Sequence, residues 1–240
     1  MQNIYVKRFS LRTSDFDCYR KITPASVLDL FQTVAGEHAA ELGCGFDDLF
    51  ARKLLWVLVR TKYKVIRQPE MYQTVRVKTW PLAPSRIGFQ REYLMEDENG
   101  NALIKGSSDW VVIHSKQRKI VSAADIYPNI ELLTEKNFEE KLKKLPNFET
   151  DEDGFLICPG FSQLDMNGHV NNTKYANFAL DAINPSEQKE IISFQMDYRH
   201  EVQKGDSIKV YTKKEGKTAL AKGVNSADVT MFVCKIDFKP

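Results

Sequence analysis

The chain has little of what compact catalytic motifs are built from. Its four cysteines, Cys18, Cys44, Cys158 and Cys234, are scattered and form no C-x-x-C pair. That excludes the common zinc ribbons and dithiol redox centres. No G-x-S-x-G, P-loop or G-x-G-x-x-G occurs, so a nucleophile elbow, a phosphate cradle and a dinucleotide turn are all missing. No apolar run reaches the ~18 residues of a bilayer-spanning helix. The first ten residues carry Lys7 and Arg8 but no apolar core of a secretory signal. Net charge is only +2, too mild to imply a nucleic-acid partner. Buried free thiols in a reducing compartment fit this cysteine usage. The expectation is a cytoplasmic protein without a membrane span, metal or cofactor.

What is present is enough chain for a sizeable core. At 240 residues, folding buries roughly 70–75% of the surface that unfolding exposes, as one large domain or two small ones. Thr23-Pro24 signals a helix start. Val27, Leu30, Phe31, Val34, His38 and Leu42 follow at helical spacing, and Gly43 is a natural stop. After a short segment, 46–53, the period changes to two. Strands are predicted from Leu55 to Val65, Thr74 to Trp80, Ile87 to Met95 and Ala102 to His114, with Asn99-Gly100 as a hairpin turn. Residues 131–153 crowd lysines and glutamates around Pro146 and read as a solvated charged linker. The pattern then returns. A strand-like run from Gly154 to Phe161 precedes a helix with Tyr175, Phe178, Ala179, Ala182 and Ile183 on one face. Strands follow at Ile191 to Val202, Ser207 to Lys213, Thr218 to Asn225 and Val229 to Phe238. The domains are therefore read as 1–130 and 154–240, joined by 131–153.

The two halves are copies. Setting Asp165 on Asp17 puts Val170 on Ile22 and aligns the helix faces, Tyr175 on Val27 and Phe178 on Leu30. Setting Tyr198 on Tyr63 puts Glu201 on Ile66. The copies differ where chemistry is possible. Asn167 falls on Tyr19 and His169 on Lys21, so one active centre per chain is expected, in the second half. The octet Asp165-Met166-Asn167-Gly168-His169-Val170-Asn171-Asn172 places a carboxylate, an amide and an imidazole at alternate positions, which share one side if the segment is extended. The helix behind it favours developing negative charge at its N-terminus. A thioester or ester carbonyl there could be attacked by water activated by His169 and a carboxylate. The plain alternative is that Asp165 and the asparagines only shape the loop or cap the helix. An EF-hand calcium loop is rejected, because the fifth position is His169 and the twelfth Ala176.

At these residues the chain resembles the acyl-carrier-protein (ACP) thioesterases of plants and bacteria. D-x-N-x-H-V-N-N-x-x-Y running into a helix, with Tyr198-Arg199-His200-Glu201 about thirty residues later, carries the likeness, which spans nearly the whole chain. The resemblance implies an α+β tandem hotdog fold, each half a long helix wrapped by an antiparallel sheet. It implies hydrolysis of acyl-ACP to free fatty acid, with no cofactor and with acyl carrier protein as partner; a homodimer is left open. It assigns Asp165, Asn167, His169 and Glu201 as catalytic. Plant members carry a cysteine after that last acid, where this chain has Val202. Water attack is then the expected route, with a direct attack by Asp165 still open. His200 is expected to face away from Glu201 in a regular strand. The N-terminal half would bind the acyl chain, with Trp56, Leu58, Ile87, Phe89 and Trp110 as candidate lining. Arg60-Lys62-Lys64-Arg67 or Lys213-Lys214-Lys217 would dock the acidic carrier. The rivals are an acyl-CoA thioesterase and a non-catalytic acyl-binding module.

Overall fold

The computed structural model describes residues 3–239 except 124–125, 128–130, 151–152 and 188. Two compact units divide the chain, Met1–Ile22 with Val27–Leu142 and Thr23–Ser26 with Lys143–Pro240. The first holds β1 (Tyr5–Ser10), most of α1 (Pro24–Glu41), α2 (Phe46–Ala51), β2 (Leu54–Val65), β3 (Thr74–Pro81), β4 (Gly88–Glu96) and β5 (Ala102–His114). Its sheet runs β1-β3-β4-β5-β2, antiparallel throughout. The second holds β6 (Phe155–Ile157), α3 (Lys174–Ile183), β7 (Ile191–Tyr198), β8 (Ile208–Glu215), β9 (Thr218–Asn225) and β10 (Thr230–Phe238). Its order is β7-β10-β9-β8-β6, again antiparallel. A helix against an antiparallel sheet, twice over, is the tandem hotdog that the family resemblance implies.

Local chemistry sets the elements. The Thr23 hydroxyl accepts the Ser26 N–H at 3.1 Å and caps α1. Gly43, at φ +70°, ends it: Cys44 N–H donates to Ala39 O and Gly43 N–H to Ala40 O, closing the last turn. On the buried face of α1, Phe31 stacks on Tyr93 of β4 with centroids 4.4 Å apart. Gly106 of β5 is what admits that ring, since a Cβ there would lie 2.4 Å from it. In the second unit Tyr175, Phe178, Ala179 and Ile183 are the buried side of α3, which packs on β8, β9 and β10.

Some boundaries differ from the sequence expectation. The strand read from Ile191 to Val202 stops at Tyr198, because Arg199 and His200 both donate to the carbonyl of Met231 and the ladder can go no further. The strand read from Gly154 to Phe161 shrinks to three residues, cut by Pro159, which has no N–H to give. A single 3-10 turn, Phe161–Gln163, follows. β1 and α2 lie outside the elements that periodicity yields. Residues 131–150 form neither helix nor strand, yet they are more than a solvated linker. Asn137 donates its backbone N–H to Glu92 and its amide to the carbonyls of Tyr93 and Gly106. Leu145 donates to the carboxylate of Asp197 at 2.7 Å, and Leu145 and Phe148 are buried. The charged side chains are spaced around these anchors.

Candidate active site

The segment Asp165–His169 is a closed loop and not an extended strand, which corrects the geometry read from alternation. The Asp165 N–H donates to His169 O at 2.7 Å, and Gly168 N–H returns to Asp165 O at 3.0 Å. Oδ1 of Asp165 accepts the N–H groups of Asn167 at 2.8 Å and His169 at 3.3 Å. Gly168 takes φ +79°, the left-handed turn that lets the chain come back. Leu164 and Val170 bridge across the base.

Among the described residues the same loop occurs three more times. Asp17 accepts from Tyr19 and Lys21, with Arg20 at φ +62° and a Phe16–Ile22 bridge. Asp97 accepts from Asn99 and Asn101, with Gly100 at φ +86°. Asn225 accepts from Ala227 and Val229, with Asp228 at φ +59°. One oxygen of Asp165 is thus committed to loop shape, as it is in three loops that lack an imidazole. Asp17 stands in the duplicated position, down to its preceding 3-10 turn, Thr13–Asp15. The copies therefore share the loop and differ in what it displays: Asn167 and His169 in one, Tyr19 and Lys21 in the other.

What the second copy adds is a partner for the imidazole. His169 Nε2 lies 3.6 Å from Glu201 Oε2, with side chains 25% and 34% exposed. That is ion-pair distance and long for a direct hydrogen bond; catalytic hydrogen bonds in unliganded sites are often long and tighten on binding. Glu201 lies past the end of β7, and ties from the His169 loop and from α3 hold its irregular stretch. Val170 N–H donates to Val202 O at 2.8 Å, Val202 N–H donates to the Tyr175 hydroxyl at 2.9 Å, and His169 bridges to Gln203. Val202, where a plant cysteine would stand, is fully buried. His200 is exposed, in a bend and not in a strand. Arg199 reaches Leu145 O at 2.5 Å and the Asn147 side chain, fixing the base of the same stretch. The Asn167 side chain is exposed at the loop tip. Asn171 accepts from the backbone and hydroxyl of Thr173, leading the chain into α3.

Of the candidate acyl-lining residues, three come together in the first unit. The Trp56 ring meets Phe89 edge-on at 4.8 Å and Trp110 at 6.3 Å. Tyr127, which no periodicity singles out, joins Trp56 and Phe89. Leu58 is buried outside that cluster, and Ile87 is 46% exposed just ahead of β4. The first basic group is largely engaged: Arg60 pairs with Asp109, Arg67 with Asp97, and Lys62 lies over Phe138. In the second, Lys213 pairs with Glu215 while Lys214 and Lys217 are exposed.

A doubled helix-and-sheet unit, with an imidazole on the loop and a carboxylate after the first strand behind the helix in the second copy, where the first has Lys21 and Ile66, defines a tandem hotdog protein. Comparison with known proteins makes this specific. Residues 2–130 match the acyl-ACP thioesterase N-terminal domain and residues 151–236 the acyl-ACP thioesterase C-terminal domain, so the chain belongs to the acyl-ACP thioesterase family. It is 29% identical over 217 residues to a chloroplastic acyl-[acyl-carrier-protein] hydrolase of Cuphea viscosissima, covering 82% of this chain and 52% of that protein. It is 27% identical over 232 residues to the chloroplastic oleoyl-acyl carrier protein thioesterase 2 of Arabidopsis thaliana, covering 88% and 63%. The chain thus spans between half and two thirds of the length of these relatives. Among solved structures, an acyl-ACP thioesterase from Bacteroides thetaiotaomicron superposes with TM-score 0.90 at 21% identity, covering 99% of this chain and 98% of that one. The 12:0-ACP thioesterase from Umbellularia californica gives 0.85 at 24%, covering 100% and 98%. At these identities the superpositions establish the fold. Among the described residues no helix is long and apolar enough to cross a membrane.

Proposed function

We propose that this chain is a thioester hydrolase that releases free fatty acid from acyl-ACP, in fatty acid biosynthesis, by attack of water. The observation that carries the reading is the His169–Glu201 pair at 3.6 Å, one group on the Asp165–His169 loop and the other past the end of β7, where the first copy has Lys21 and Ile66. In this reading His169 and Glu201 take the proton from the attacking water. Asn167 orients the carbonyl, and Asp165 holds the loop that presents them. The acyl carbon–sulfur bond breaks, the carrier leaves as its thiol, and the proton on the pair returns to that sulfur. General-base help of this kind is worth roughly 10²–10⁴-fold. With Val202 at the cysteine position, no thiol nucleophile follows Glu201. The first unit would hold the acyl chain, with Trp56, Phe89 and Trp110 the best-placed candidates. The relatives' names support a carrier-linked substrate over a CoA thioester. A cytoplasmic location goes with four unpaired thiols, against plant relatives named chloroplastic.

Incubation with matched acyl-ACP and acyl-CoA thioesters tests the proposal. Fatty acid released from acyl-ACP at the higher kcat/KM is expected. Preference for acyl-CoA would favour the CoA rival, and tight binding without release would favour a non-catalytic binder.

A further inference from the structure

Tyr175 lies on the buried face of α3, where an apolar side chain would suffice for packing. Its counterpart in the first copy, Val27, is such a side chain and is fully buried. The tyrosine ring packs edge-on against Tyr198 and Phe232, each at 5.5 Å, so its body serves the core. Its hydroxyl does something else. It accepts the backbone N–H of Val202 at 2.9 Å, one residue beyond Glu201.

That N–H needs a partner. β7 has ended at Tyr198, and the last ladder donors on this side, Arg199 and His200, are already spent on Met231 O. Val202 is fully buried, so water cannot serve its amide. On its other side the Val202 carbonyl accepts Val170 N–H from the His169 loop. The peptides around Val202 are therefore gripped from the helix and from the catalytic loop at once. Glu201 has no regular strand to fix it, and this grip supplies the reference. The hydroxyl is found only in the copy where an acid follows, since Val27 and Ile66 replace both in the other.

We infer that Tyr175 is a positioning residue, whose hydroxyl sets the Glu201 carboxylate against His169 by anchoring the Val202 amide. This rests on the thioesterase reading for its catalytic consequence and on the hydrogen bond alone for its structural one. Tyr175→Phe keeps the ring and removes only the acceptor. Expected is a fall in kcat of at least tenfold with KM for acyl-ACP within twofold of wild type. A control, Ile183→Val, trims the same helix away from the Glu201 stretch. It should lower Tm but leave kcat of the folded enzyme unchanged. Amide exchange at Val202 reads the anchor without turnover and should accelerate at least tenfold in Tyr175→Phe. A variant that exchanges Val202 as slowly as wild type, or that loses Tm but keeps its kcat, overturns the inference. A wild type inert toward every thioester, with Val202 exchange still hydroxyl-dependent, would instead sink the thioesterase reading and leave the anchor standing.

Discussion

His169 and Glu201 face each other from segments that neither strand nor helix geometry dictates. One closes a turn and the other lies three residues past the end of β7. This is why the sequence could name the residues without placing them. The polar types and the asymmetry between copies are legible from residue identity; the 3.6 Å approach depends on which backbone groups meet the Asp165 carboxylate, the Tyr175 hydroxyl and each other, and those pairings join segments far apart in sequence. The cysteines are unpaired, as their scatter suggests, though only two of the four expected buried thiols, Cys44 and Cys234, are buried. Burial pushes the Cys44 thiol up to about 11, and the fully enclosed Cys234 thiol goes well above its ordinary range for the same reason. Cys18 and Cys158 are exposed, and neither adjoins Glu201 in sequence as the plant cysteine would. Only the thiolate reacts with alkylating agents. Iodoacetamide at neutral pH should therefore modify Cys18 and Cys158 by mass spectrometry while at least half of the turnover survives. Complete inactivation prevented by substrate would show that a thiol takes part.

At the scale of elements, the lesson is the loop that the described residues build four times. A five-residue D/N-x-x-x-x loop with a left-handed fourth residue looks like alternation if only the first, third and fifth side chains are read. Gly168 was the visible sign of a turn, and Arg20 and Asp228 show that glycine is not obligatory there. The loop predicts a paired result. Asp17→Ala and Asp165→Ala each remove two hydrogen bonds from backbone N–H groups, costing about 1–2 kcal/mol. Each should lower Tm by roughly 2–8 °C for a chain of this size. Only Asp165→Ala should also lower turnover, because only its loop displays the imidazole; equal loss in both would argue against a single centre. The hairpin between β4 and β5 adds a pH test. Hydrogen bonds from the Asn101 side chain and backbone hold the Asp97 carboxyl below its ordinary range, with Asn99 and Arg67 adding to the effect. A lowered folded-state value means stability that is present above the unfolded value of about 3.9 and lost as pH falls through the folded one. Asp97→Asn keeps the loop acceptor, as Asn225 does, but cannot ionise. The Tm advantage of wild type over Asp97→Asn should be visible near neutral pH and shrink steadily as pH falls below about 3.9. An advantage undiminished in acid would contradict it.

For the molecule as a whole, the duplication was legible because both halves repeat the same sequence of periods: helical, then strand after strand. The segment joining them was misjudged for a physical reason. Its charge density reads as solvation, while its anchoring comes from one asparagine amide, two apolar residues and backbone groups, too few to register in composition. Asn137→Ala removes its side-chain bonds to Tyr93 O and Gly106 O, which should cost about 1–2 kcal/mol. Trypsin should then cleave at Lys136 or Lys141 several times faster than in wild type, and an unchanged cleavage rate would mean that this amide does not secure the segment. Family membership fixes the architecture, and the claim that gives it a function is that one copy of a shared loop has become a catalytic centre and the other has not. The most direct measurement is fatty acid release from acyl-ACP by four folded variants side by side. His169→Ala and Glu201→Ala should each fall at least tenfold, while Tyr19→Ala and Lys21→Ala stay within twofold of wild type. Wild-type rates in the first pair, or a matching loss in the second, would contradict the account.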